Sequence, residues 1–170
     1  MSRFLTGKPI PVPARDEQRR SAFYNAGCVS TNNQTGERMA RPCRIVVIED
    51  NEPVLKLLSE HIEVEGYDVE MVHPPLDDAD KIDFEEFDLA FIDLTLPHGL
   101  DPLELARRAT VAGTGVILMS GDHAQLEDVA DAGHALLKKP FRMAILTRLI
   151  KDVLSQVGAE CEAPPQAASA

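Results

Sequence analysis

The chain has 170 residues, 44% of them hydrophobic and 26% charged, with a formal net charge of −11 at neutral pH. That length predicts one ordinary domain with extensions. No apolar run approaches the roughly 20 residues a membrane-spanning helix needs, and the N-terminus has no apolar signal-peptide core. The charge is unevenly divided: residues 1–43 carry net +4 and residues 44–170 net −15, so the larger part repels nucleic acid and anionic membranes.

Residues 1–43 read as a flexible extension. Pro9, Pro11 and Pro13 make an irregular start, Asp16 to Arg20 could open a short helix, and Ser30 to Gly36 is polar and turn-like. Met39 lies five residues before the first apolar strand run. It is the expected natural start, with 1–38 an upstream-start extension; the rival reading is a basic arm that docks a partner. Cys28, Cys43 and Cys161 are odd in number and lack metal-ligand spacing, so they read as incidental thiols in a reducing cytoplasm.

From Arg44 the pattern is regular. A strand over 44–48 leads to a helix with Pro53 in its first turn, an apolar face of Val54, Leu55, Leu58 and Ile62, and Gly66 as its stop. Tyr67 to Val72 alternates as an edge strand, and residues 76–87 are expected to hold a short acidic helix. A third strand covers 88–93. Asp101-Pro102-Leu103-Glu104 reads as a helix start, with Asp101 as N-cap and Glu104 reaching back, and that helix runs to about Ala112. A strand over 115–119, a short helix over about 123–132, a strand over 135–138 and a helix over 142–156 follow. Pro164 and Pro165 mark 157–170 as a disordered tail. The domain is therefore expected at 44–156. Alternation at this spacing predicts an α/β fold, a parallel sheet with helices on both faces and right-handed crossovers.

Four strand runs end in polar groups on the same side of that sheet: Glu49-Asp50, Asp93, Ser120 and Lys138-Lys139-Pro140. In open α/β sheets the carboxyl ends of the strands are where ligands bind. A buried charge there is costly without a partner. Three acids together would make a cation trap.

This ordered set resembles the receiver domain of two-component response regulators, over about residues 44–154. The resemblance implies the flavodoxin-like strand order 2-1-3-4-5, whose switch point between the first and third strands sets Glu49 and Asp50 beside Asp93. It implies that Asp93 accepts a phosphoryl group and that Mg²⁺ is held by Asp50, Asp93, Glu49 (directly or through water) and the backbone carbonyl of Thr95. Lys139, before a cis-Pro140, would contact the phosphoryl group, and Ser120 would act as a switching hydroxyl. The implied partners are a sensor histidine kinase or a histidine phosphotransfer protein, and a downstream protein target. No nucleic-acid contact and no membrane insertion are expected, and the location implied is cytoplasmic. No output domain follows the last helix, which predicts a stand-alone regulator, or a phosphorelay intermediate or sink, that catalyses only its own phosphorylation and dephosphorylation.

Each residue also has a plainer reading. Asp93 could be an idle loop carboxylate and Ser120 an ordinary turn serine. Lys138 competes with Lys139 for the cation role but is expected to face outward. Asp122 either orients water or caps the following helix. His98 and His123 read as solvated loop residues. Two features depart from the family: Leu136 stands where an aromatic usually reports phosphorylation, and the interval from Ser120 to Lys139 is short, which clips the intervening helix. Pro102 also stands where the family favours glycine. The alternatives are a phosphate-independent binding module of the same fold and an aspartyl phosphohydrolase. The latter lacks its second Asp, because Thr95 occupies that position.

Overall fold

The computed structural model describes residues 41–74, 79–97, 99–159 and 161. Five strands, β1 (Arg44–Ile48), β2 (Asp68–Val72), β3 (Leu89–Asp93), β4 (Gly115–Ser120) and β5 (Ala135–Lys138), form one parallel sheet in the order β2-β1-β3-β4-β5. Four α-helices accompany it among the described residues: α1 (Glu52–Val64), α2 (Pro102–Val111), α3 (His123–Asp128) and α4 (Met143–Gln156).

The two-residue side-chain period of a strand sorts the core into two layers. Ile45, Val47, Leu89, Phe91, Ile117 and Met119 meet α1 and α4 through Leu55, Leu58, Ile62, Leu146 and Ile150. Their neighbours Val46, Ile48, Ala90, Ile92, Val116 and Leu118 meet Leu105, Ala106 and Ala109 of α2. Each large side chain so buried contributes about 1.5–3 kcal/mol. Gly115 permits the close seat of α4 on β4, since a Cβ there would stand 2.6 Å from Val153 Cγ1. Gly66, with φ of 92°, turns the chain out of α1 as expected.

Three expectations need correction. The acidic helix over 76–87 is, in its described part, two short 3-10 turns, Ala79–Lys81 and Phe84–Glu86; buried Ala79 and Phe84 anchor it at single points, with no helical stripe. Asp101 caps α2, accepting from the Leu103 and Glu104 N–H groups, but Glu104 does not reach back. Its carboxylate instead takes two 2.7 Å bonds from Arg107. Cys43 and Cys161 are not idle thiols: they form a disulfide. Residues 1–38, and Pro164 and Pro165 with their neighbours, lie outside the described residues.

Candidate functional site

The switch point lies between β1 and β3, the one place where the chain leaves adjacent strands in opposite directions. Glu49 follows β1 and is fully buried; Asp93 ends β3 and is 1% exposed. Asp50 lies beside them, nearer solvent. One carboxylate oxygen of each can be chosen so that all three lie within 4.8 Å of one another. Lys139 answers them from the loop after β5, its Nζ 2.5 Å from Glu49 Oε2 and 3.0 Å from Asp93 Oδ1. The Lys139 N–H donates to the Ser120 carbonyl at 2.8 Å, and the Lys139–Pro140 peptide is cis. Lys138 is exposed, as its outward reading required.

Three carboxylates against one ammonium leave an excess of negative charge in a desolvated place. Burial pushes the Glu49 carboxyl up from its ordinary range, the Asp93 charge adds to this, and Lys139 opposes it. Asp93 is incompletely satisfied. Its Oδ2 accepts from the Thr95 hydroxyl, while its buried Oδ1 receives no hydrogen bond among the described residues. That oxygen faces the Lys139 ammonium at 3.0 Å, and an all-oxygen donor set of this kind suits a small hard divalent cation rather than a soft one. His73, at the end of β2, donates from Nε2 to the Asp50 carbonyl at 2.8 Å and so fixes the loop that carries Asp50.

Ser120 is buried on the same sheet edge, but its hydroxyl does not point into the acid cluster's hydrogen bonds. It donates to Gln125 Oε1 of α3 at 2.6 Å and accepts from the Asp122 N–H at 2.9 Å. Asp122 takes the capping alternative, its carboxylate accepting from the Ala124 N–H. Leu136 packs with the α2 side of the core. His123 lies exposed on α3, and His98 is outside the described residues. Gln125 and His73 were missed in the sequence; Thr95 was placed beside the site there, but not its hydroxyl bond to Asp93. Gln125 alone left a trace there, as a polar residue next to the buried Leu126 in the first turn after Ser120.

Comparison with known proteins places this geometry. The sequence model of the response regulator receiver domain matches residues 45–151, more than half of the chain. The chain belongs to the response regulator receiver domain family. An uncharacterised transcriptional regulatory protein, YkoG of Bacillus subtilis, is 32% identical over 123 residues, covering 69% of this chain and 54% of that protein. The response regulator MprA of Mycobacterium avium is 30% identical, with 71% and 54% covered. The chain thus spans about half the length of the curated relatives it matches. Among solved structures, a CheY-like receiver domain protein from Methanospirillum hungatei superposes with a TM-score of 0.59 at 27% identity, covering 70% of this chain and 98% of that one. A two-component response regulator from Clostridium difficile, at 19% identity and a TM-score of 0.58, shares the fold. In this receiver domain Glu49, Asp50 and Asp93 form an acidic cluster after β1 and at the end of β3, and no helix among the described residues is long and apolar enough to cross a membrane.

Proposed function

We propose that this receiver domain takes a phosphoryl group onto Asp93 from a phosphohistidine of a sensor kinase or a phosphotransfer protein. The observation that carries this is the buried Asp93 carboxylate, flanked by two acids, with one oxygen that makes no hydrogen bond and faces only the Lys139 ammonium at 3.0 Å. A carboxylate oxygen of Asp93 forms the new bond to phosphorus while the phosphorus–nitrogen bond breaks, and the imidazole takes up a proton as it leaves. Lys139 already faces Asp93 and gives the arriving anion a cation. The Thr95 hydroxyl orients the acceptor carboxylate, and the buried walls of β1 and β3 limit water. Asp50, Asp93, Glu49 and the Thr95 carbonyl would hold Mg²⁺, which would supply the charge neutralisation that phosphoryl transfer needs. Ser120 must leave Gln125 to reach a phosphoryl oxygen, so the switch begins with that bond.

The domain is taken as 44–156, with 1–43 and 157–170 as extensions. It acts in the cytoplasm by contact with a downstream protein or as a relay step, and catalyses only its own phosphorylation and dephosphorylation. Leu136 and the occupied Ser120 hydroxyl favour a second reading, a phosphate-independent binding module. Acetyl phosphate with Mg²⁺, read by intact mass, separates the two. The first reading expects a gain of about 80 Da, one phosphate, absent without Mg²⁺ and absent in Asp93→Asn. No gain in the folded wild type supports the second.

A further inference from the structure

The opposite edge of the sheet carries a cluster that phosphoryl transfer does not use. Cys43, just before β1, is 3% exposed and bonded to Cys161 across 118 residues of chain, with the Cα atoms 5.1 Å apart. The chain reaches it by a defined turn. After α4, Gly158 adopts φ of 61° and the Ala159 N–H donates to the Leu154 carbonyl at 3.0 Å. Ala159 and Cys161 then pack against the core layer between α4 and the sheet. The bridge therefore staples the turn after α4 to the start of β1. The Cys43 carbonyl accepts from the Asp68 N–H at 2.9 Å, so its end of the staple is fixed in the sheet.

Asp88 is the third member: one of its oxygens and the two sulfurs lie within 4.8 Å of one another. Such a set could suggest a metal. Asp88, however, spends both oxygens on the Arg41 guanidinium, at 2.7 and 3.0 Å, and accepts the Arg44 N–H at 2.9 Å. With that carboxylate engaged, the sulfurs bond to each other. The two ends also differ in access. Cys161 is partly exposed while Cys43 is buried, so an incoming thiolate meets Cys161 Sγ and Cys43 is the leaving sulfur.

We propose that Cys43 and Cys161 are a reversible redox site that couples the turn after α4 to a low-molecular-weight thiol–disulfide pool. Closing oxidises two cysteine thiols by two electrons, with one small-molecule disulfide reduced to two thiols that carry away the two protons. Opening is the reverse. Oxidation locks the C-terminal turn of α4 against β1, and reduction frees it.

The test incubates the full chain with oxidised glutathione or with dithiothreitol, alkylates free thiols, and maps peptides without reduction. After glutathione disulfide, the Cys43 and Cys161 peptides should appear linked, about 2 Da below their summed mass, with Cys28 outside the bridge. The oxidised protein should melt roughly 5–15 °C above the reduced one, and amide exchange over residues 154–159 should rise on reduction. Cys161→Ser, at a partly exposed position, should remove the redox dependence of melting while keeping the fold; Cys43→Ser should do the same. Alkylated Cys43 and Cys161 after oxidation, a bridge that uses Cys28 instead, or equal melting in the two states would overturn the proposal.

Discussion

β3 has a buried acid at each end of its run, and the two are treated oppositely. Asp88, just before the strand, and Asp93, at its close, are each 1% exposed. Asp88 is complete: Arg41 grips both oxygens and the Arg44 N–H adds a third bond. Asp93 is left more open, with one oxygen on a hydroxyl donor and the other without a hydrogen bond, facing a lysine shared with Glu49. Burying an acid is tolerable when its hydrogen bonds are made. Where they are withheld beside further acids, the site is held ready for something that arrives. Asp88 is thus architecture and Asp93 chemistry, though burial alone cannot tell them apart.

The sharpest way to break this contrast is to exchange the defects. Asp93→Asn should abolish phosphoryl uptake outright and leave stability unchanged or raise it by about 1 kcal/mol, since it removes a repelled buried charge. Asp88→Ala should keep uptake while costing about 2–3 kcal/mol, because the Arg44 N–H and the Arg41 guanidinium lose their partner. Labelling by intact mass and urea denaturation read the two arms. Lys139→Met should slow labelling by about 10²–10³-fold, the scale expected when an electrostatic contact to the reacting group is lost. It should also drive the Glu49 carboxyl further up, since Lys139 is the largest influence holding it down, ahead of the Asn51 N–H.

A pH series sharpens the same comparison. The folded-state pKa of Glu49 is raised above 4.5. In metal-free protein its contribution is therefore most favourable below the unfolded value and is lost as pH rises through the folded one. A cation needs the ionised carboxylate, so the rise in melting temperature produced by Mg²⁺ should grow as pH climbs from about 4.5 through the raised pKa. Asp50→Asn should remove most of that rise, and Asp88→Ala should leave it. The smallest effect is expected at Gln125. Gln125→Ala frees the Ser120 hydroxyl and should speed labelling about two- to five-fold while costing about 0.5–1.5 kcal/mol for one neutral hydrogen bond.

The sheet was legible because its strands are apolar runs that end in charge, as in Val46-Val47-Ile48-Glu49 and Ala90-Phe91-Ile92-Asp93. The cost of burying such an end made Glu49, Asp50, Asp93 and Lys139 visible before any contact was known. The region of 76–87 was not legible, because its acidic residues also suit turns and, among its described residues, Ala79, Phe84 and Phe87 reach the core without a helical stripe. The Ser120–Gln125 bond and the Thr95 hydroxyl depend on rotamers that sequence spacing does not encode. The cysteine pair was misread for a related reason: 118 residues separate its members, and only the return of the chain after α4 brings them together.

The central claim concerns which buried acid is open. It is tested most directly by labelling the wild-type protein with acetyl phosphate and Mg²⁺ and locating the phosphate by tandem mass spectrometry. The account predicts a single phosphate on the peptide that holds Asp93, at the Asp93 side chain, sensitive to hydroxylamine and labile in strong acid and alkali as an acyl phosphate is. Phosphate at Asp88 or at another residue, or uptake that persists undiminished in Asp93→Asn, would contradict it.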